Sequence, residues 1–258
     1  MISSTHNPHI QLARSLLDRS KERHAASAFV AEGVRLVEEA QAAGWPFRFV
    51  LAGEGLGERG RRLVADLLAG GVEVETVVDN VLQSVSETEA SQGILAVLDQ
   101  QGLVLPARLT FCLILDSIRD PGNLGTLLRT AAAAGAEAVL LPPDTTDAFA
   151  PKVVRAGMGA HFRLPIVSCS WEAIRVHTQG LAVYLAEMES ALACWQADLR
   201  QPLALIVGGE AEGASPAARA LADQTLSIPM PGRSESLNAA VAGSILMFEI
   251  VRQRGTAT

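Results

Sequence analysis

Apolar and polar positions along the chain fall into short blocks whose period changes from block to block. Ala28-Phe29-Val30-Ala31 reads as an extended piece. The stretch that follows, up to residue 43, sets Val34, Val37 and Ala40 on one stripe, the spacing of an amphipathic helix. Residues 47–52 form an apolar strand that ends in the glycine-rich run 53–60. Residues 61–69 are helical and stop at Gly70-Gly71. Between 72 and 78, Val72, Val74, Thr76 and Val78 alternate with Glu73, Glu75 and Val77, which predicts a half-buried strand. A short helix over 79–86 and a strand over 93–98 complete a small α/β layer. Residues 99–108, with Gly102 and Pro106, read as a linker.

Beyond the linker the strands are more apolar. Residues 109–115 form a strand, 116–122 a turn and 124–134 a helix with Gly135 placed to end it. Residues 138–141 form the next strand. Strand–helix–strand units of this kind build parallel sheets. Two further strands are predicted over 181–185 and 203–207, and a last helix over 236–252. That helix is apolar around most of its circumference and is expected to be buried, part of it at a subunit contact.

Composition narrows the function classes. With 258 residues, 49% of them apolar, the chain is long enough for one large domain or two small ones. No run approaches the roughly 18 apolar residues of a membrane span, and the first 25 residues resemble no sorting signal. Cys112, Cys169 and Cys194 are scattered without metal-ligand spacing, and Cys112 sits in an apolar run as a small buried hydrophobe. Unpaired cysteines of this kind suit a reducing cytoplasm. A net charge of −7 argues against a uniformly basic nucleic-acid binder. Contact with RNA would need local patches. One candidate is the arm Arg14, Arg19, Lys21, Arg23 and His24. A second is the set Arg119, Arg129, Lys152, Arg155, Arg163 and Arg233.

Three polar clusters stand at the ends of predicted elements. Asp120-Pro121-Gly122-Asn123-Leu124-Gly125 is followed by Arg129, with Asn123 placed to cap the helix. Gly208-Gly209-Glu210-Ala211-Glu212-Gly213 follows an apolar strand, where glycines let a ligand approach the backbone. Neither a dinucleotide fingerprint nor a phosphate-binding loop with its lysine is present. The third cluster runs from Ile228-Pro229-Met230 to Ser236-Leu237-Asn238 and opens the last helix, with Ser236 as a plausible cap. Asn238, a polar amide on an apolar helix, needs a partner or a task. Taken singly, these clusters also fit a capped helix with a surface arginine, a plain turn and a second cap.

Their order and spacing resemble the three motifs of the SpoU (TrmH-type) branch of the SPOUT RNA methyltransferases, over residues 109–252. Phe29 to Val37 and Gln92 to Ala96 resemble the RNA-binding domain often fused ahead of that catalytic domain. The resemblance implies an α/β fold in two parts. A ribosomal-protein-like substrate-binding domain would occupy 1–100. A parallel-sheet SPOUT domain with a C-terminal trefoil knot would occupy 107–258. It implies a homodimer, S-adenosylmethionine as methyl donor, no metal, and a ribose 2′-hydroxyl of RNA as acceptor. The separate first domain favours ribosomal RNA over transfer RNA. By motif position, Gly208, Ile228, Met230 and Leu237 would hold the donor, with Leu185-Ala186 near the same pocket. Arg129 would be the central catalytic residue, oriented by Asn123 and Glu210, with Ser236 and Asn238 completing the site. A guanidinium is a poor base, so the expected role of Arg129 is to grip an RNA phosphate and stabilise developing negative charge. The chain departs from the family where Ala239-Ala240 follow Asn238 in place of a hydroxyl residue. A catalytically silent RNA binder would share the fold, but the presence of all five polar residues argues against it.

Overall fold

The computed structural model describes residues 1–86, 92–209, 213–232 and 236–255. The chain divides into two compact units. Met1–Gln101 with Phe149–Phe162 forms the first, and Gly102–Ala148 with Arg163–Thr258 forms the second.

The first unit opens with α1 (Pro8–Asp18) and α2 (Ser20–Ala26). It continues with β1 (Ala28–Glu32), α3 (Val34–Ala42), β2 (Phe47–Gly53), α4 (Glu58–Ala69), β3 (Val74–Val77), α5 (Asp79–Gln83) and β4 (Ile94–Asp99). Its sheet has the order β1-β4-β2-β3, with β4 antiparallel to both neighbours and β2 parallel to β3. α1 has a local cause: Pro8 takes the first helical position and the Asn7 side chain accepts the N–H of His9 at 2.8 Å. The arm expected to meet RNA is therefore helical and partly committed. Arg23 is buried and donates to the carbonyls of Leu16 and Leu17, and Arg14 donates to Ser84 Oγ at 3.0 Å. In β3 the expected clean alternation is not seen: Val77 is fully buried in the core, Thr76 is exposed, and Val74 and Glu75 are both half-buried. β3 is an edge strand, and its inner face is the one that meets Ile2 and the core around Ile10 and Leu16.

The second unit runs β5 (Phe111–Asp116), α6 (Pro121–Ala133) and β6 (Ala138–Leu141). The chain then contributes α7 (Pro151–Gly157) and a 3-10 turn, Ala160–Phe162, to the first unit. There Phe149 and Phe162 pack on Phe29, with ring centroids 4.9 and 6.3 Å away, and Phe162 also meets Trp45. Back in the second unit come β7 (Ile166–Ser168), α8 (Trp171–His177), β8 (Ala182–Ala186), β9 (Leu203–Gly208), α9 (Pro216–Leu221), β10 (Gln224–Leu226) and α10 (Ala239–Gly255). Its six strands lie in the order β10-β8-β9-β5-β6-β7, every pair parallel. Both faces of such a sheet are covered, which is why Phe-Cys-Leu-Ile-Leu-Asp of β5 is buried at every position. Cys112 is fully buried there, and burial pushes its thiol up to about 12. No described helix is long and apolar enough to cross a membrane. The last helix is less buried than its composition suggested. Ala240, Gly243, Leu246, Met247 and Ile250 face inward, whereas Val241, Ile245 and Phe248 are about half exposed.

Candidate functional site

α6 begins three residues earlier than the sequence reading placed it. Asp120 is its cap: the carboxylate accepts the N–H of Asn123 at 2.7 Å, and Pro121 fills the first helical position. An anionic cap also opposes the positive end of the helix dipole, and the proline has no N–H to leave unsatisfied. Asn123 is thus the third helical residue rather than the cap, which leaves its side chain available. Its Oδ1 accepts a hydrogen bond from Asn238 Nδ2 at 3.0 Å.

Asn238 in turn is the cap of α10, a role the sequence reading gave to Ser236. Its Oδ1 accepts the N–H groups of Ala240 and Val241 at 2.9 and 3.2 Å, and its carbonyl accepts from Ala242. Asn238 therefore joins the first turns of two helices. Below that joint, Gly243 packs against Leu127 and Val207, and Ser244 Oγ lies 3.2 Å from Thr130 Oγ1. Asn238→Ala removes both cap bonds and the link to Asn123. We expect a loss of about 1 kcal/mol, read as a melting point lower by roughly 2–4 °C, together with impaired activity. An unchanged melting point would contradict the capping role.

Asn123, Leu127 and Thr130 mark the side of α6 that faces α10. Arg129 lies about 120° around the helix from them at 3.6 residues per turn. It is exposed, and its guanidinium makes no hydrogen bond or ion pair among the described residues.

At the carboxyl ends of β8, β9 and β10 lies a cavity of about 740 Å³. Its lining includes Gly208, Ile228, Met230, Ser236, Leu237 and Asn238, as well as Ala186 at the end of β8. The structure thus brings the second and third motifs together on one site and links the first to it through Asn123. Asn123 and Arg129 do not line the cavity itself, and Glu210 and Arg233 lie outside the described residues. Sequence reasoning missed Glu187, Glu189, Arg219, Ala242 and Leu246, which also line it. Glu187 directly follows a parallel strand, so the rule that ligands gather at strand carboxyl ends could have flagged it. Arg219, on a helix too short to read, pairs with Glu187.

The glycine wall has a different cause from the one expected. A Cβ on Gly208 would sit 2.8 Å from the backbone N of Ala214, and one on Gly209 would collide with the carbonyl of Ser117. The absent side chains make room first for the chain's own backbone. The same bare backbone borders the cavity at Gly208, Gly209 and Gly213, and the apolar side chains of Ile228, Met230, Leu237 and Leu246 share its lining. A volume within the roughly 300–1,000 Å³ typical of small-molecule sites, lined by apolar side chains and a few polar groups, suits an organic cofactor.

Among the described residues, one group could hold a metal ion. His9, Glu73 and Glu75 bring ligand-type atoms within 4.8 Å of one another in the first unit. His9 Nε2 is 4.0 Å from Glu73 Oε1, ion-pair distance when the ring is protonated.

Fold and cavity together define an α/β protein whose parallel sheet opens at its carboxyl ends on a cofactor-sized site. More narrowly, the chain belongs to the SpoU rRNA Methylase family, whose model matches residues 110–248. Residues 7–96 match the MRM3-like substrate binding domain. The chain is 33% identical to the 23S rRNA (guanosine(2553)-2′-O)-methyltransferase RlmP of Bacillus subtilis, over 91% of this chain and 92% of that one. It is 32% identical to the 23S rRNA (uridine(2479)-2′-O)-methyltransferase of Streptomyces viridochromogenes, over 97% and 92%. Among solved structures, the AdoMet-bound rRNA methyltransferase from Sinorhizobium meliloti superposes with a TM-score of 0.86 at 30% identity, covering 97% of each chain.

Proposed function

We propose that the protein transfers the methyl group of S-adenosylmethionine to a ribose 2′-hydroxyl of ribosomal RNA. The observation that carries this reading is the cavity of the second unit, whose lining joins Gly208 of the second motif to Ile228, Met230, Ser236, Leu237 and Asn238 of the third. The two RNA-modifying relatives named above differ in nucleotide, a guanosine and a uridine, and share the 2′-oxygen of 23S rRNA. That shared chemistry is what we carry over; the nucleotide is left to experiment.

When bound, the donor supplies an electrophilic methyl group on a sulfonium. The chain's own residues would do the rest. Gly208, Ile228, Met230 and Leu237 hold the donor through backbone and apolar contact. A ribose hydroxyl is a weak nucleophile, so it must be aligned and its developing charge stabilised. Arg129, exposed and unpaired among the described residues, grips an RNA phosphate and supplies that stabilisation. Asn123 and Asn238 form a fixed amide pair that orients the RNA backbone, Ser236 adds a hydroxyl at the cavity, and Glu210 belongs to the same set by motif position. The proton passes to the phosphate or to water, since a guanidinium stays protonated.

We read residues 1–100, the larger part of the first unit, as the RNA-binding domain, and residues 107–258, of which 149–162 pack into that first unit, as the SPOUT domain with its C-terminal trefoil knot. The knot is carried over from the family whose motifs the chain shares. The protein acts in the cytoplasm as a homodimer. The dimer reading rests on Val241, Ile245 and Phe248, a half-exposed apolar stripe at helical spacing on α10. Ile245→Glu with Phe248→Glu is expected to convert the dimer to monomer in light scattering behind gel filtration, and an unchanged mass would place the contact elsewhere.

The direct test of activity mixes the purified protein, methyl-labelled S-adenosylmethionine and ribosomal RNA. Label in a nucleotide whose 3′ phosphodiester resists alkali, the signature of a blocked 2′-hydroxyl, is expected. Label on a base, or on transfer RNA alone, would contradict the proposal.

A further inference from the structure

Asp116 ends β5 and is the one carboxylate buried among the described residues, with 1% of its surface exposed. Both of its oxygens accept. Oδ2 takes the backbone N–H of Ser215 at 2.6 Å, and Oδ1 takes the hydroxyl of Ser117 at 3.2 Å. Two donors and no acceptor suit an ionised carboxylate. No lysine, arginine or histidine pairs with it among the described residues. A buried charge without a counter-charge is costly to keep, and the reaction as described above gives it no task.

Its position supplies one. Asp116 is the register partner of Gly208 across the β5–β9 ladder. The Ser215 that it holds directly follows Gly213 and Ala214. Gly208, Gly213 and Ala214 all line the donor cavity, while Asp116 does not. The charge therefore stands one residue behind a wall of small residues, with no large side chain of those three between it and the cavity. The other acids at the cavity are weaker candidates. Glu187 is paired with Arg219, and Glu189 is exposed and screened by water.

We propose that Asp116 is the counter-charge of the donor's sulfonium, favouring the cationic donor over the uncharged thioether product. The inference rests on the function proposed above. It makes Asp116 a specificity-determining residue that acts through its field across the glycine wall, without touching the ligand. Unit charges within about 10 Å at an effective dielectric of about 20 interact strongly enough for roughly a tenfold preference.

Calorimetry on the full chain tests it with three probes: S-adenosylmethionine, sinefungin, which carries an ammonium in place of the sulfonium, and S-adenosylhomocysteine. Asp116→Asn keeps an oxygen for the Ser215 N–H and removes the charge. Both cationic probes are expected to weaken about tenfold relative to S-adenosylhomocysteine. Ser117→Ala, which keeps the charge, should leave the ratio as in the wild type. Equal weakening of all three probes by Asp116→Asn would reduce Asp116 to a structural clasp and overturn the proposal, as would no change. Should that variant not fold, the wild type decides with the nitrogen analogue of the donor, whose tertiary amine is cationic only at low pH. Its affinity relative to S-adenosylhomocysteine should rise as pH falls, and a ratio independent of pH overturns the proposal. A wild type that binds none of the probes would instead overturn the methyl-transfer reading itself.

Discussion

Arg129→Ala is expected to lower methyl transfer by about 100-fold or more, the scale on which loss of one preorganised charge stabiliser falls, while donor affinity stays within about twofold. The reason is the separation seen in the structure. Arg129 is exposed on α6 and makes no bond among the described residues, and the cavity is lined without it. Its removal should therefore spare both stability and the donor site and act on the RNA and the reacting oxygen. Arg129→Lys should recover little, because an ammonium offers one point of charge where the guanidinium offers a planar fork to phosphate. Single-turnover rates with saturating donor, alongside calorimetry, separate the two effects. Activity near wild type would remove Arg129 from the mechanism. Lost donor binding would place it in the cavity instead.

Gly208→Ala should have the opposite signature. Its Cβ would stand 2.8 Å from the Ala214 backbone nitrogen, a distance that real side chains do not tolerate. The obstacle is backbone, held from behind by the Asp116–Ser215 bond, so it cannot rotate aside as a side chain could. Residues 213–215 or the end of β9 must shift, at a cost of about 1–3 kcal/mol for overpacking. Because both segments line the cavity, donor affinity should fall roughly tenfold or more, with about 1.4 kcal/mol per factor of ten. The melting point should drop with it. An alanine variant that binds donor as the wild type does would show that this crossing has slack and that the glycine serves something else.

Legibility in the sequence followed the strength of the local signal. Runs such as Phe-Cys-Leu-Ile-Leu and Leu-Ala-Leu-Ile-Val read correctly as buried strands, because a parallel sheet covered on both faces leaves no polar alternation. The short elements β7, α8, α9 and β10 were missed, being too brief to show a period. α1 was missed although Asn7-Pro8 announces it. The helix caps were each displaced by two or three residues. Asp120 outcompetes Asn123 because Pro121 fixes the start, and Asn238 caps α10 where Ser236 lies outside the helix. The buried side of β3 was not legible, since Val72 to Val78 offers apolar residues at odd and even positions, and Val77 and Val78 both meet the core that α1 covers.

The site shows the same division. Its residue types were legible as three motifs, but their convergence was not, because Asn123 and Asn238 are 115 residues apart. The excursion of residues 149–162 into the first unit left no mark in the pattern either; it is driven by Phe149 and Phe162 finding Phe29 and Trp45. Asp116 was legible only as the start of the turn after a strand; nothing in sequence reveals that it is buried and pairs with no cation among the described residues.

The measurement that bears most directly on the central claim is a map of 2′-O-methylation across all stable RNAs, in cells with and without this gene. One ribosomal RNA nucleotide is expected to lose its 2′-O-methyl mark in the deletion, to regain it with the wild-type gene and not to regain it with Arg129→Ala. An unchanged ribosomal RNA map, or a mark lost only from transfer RNA, would contradict that claim.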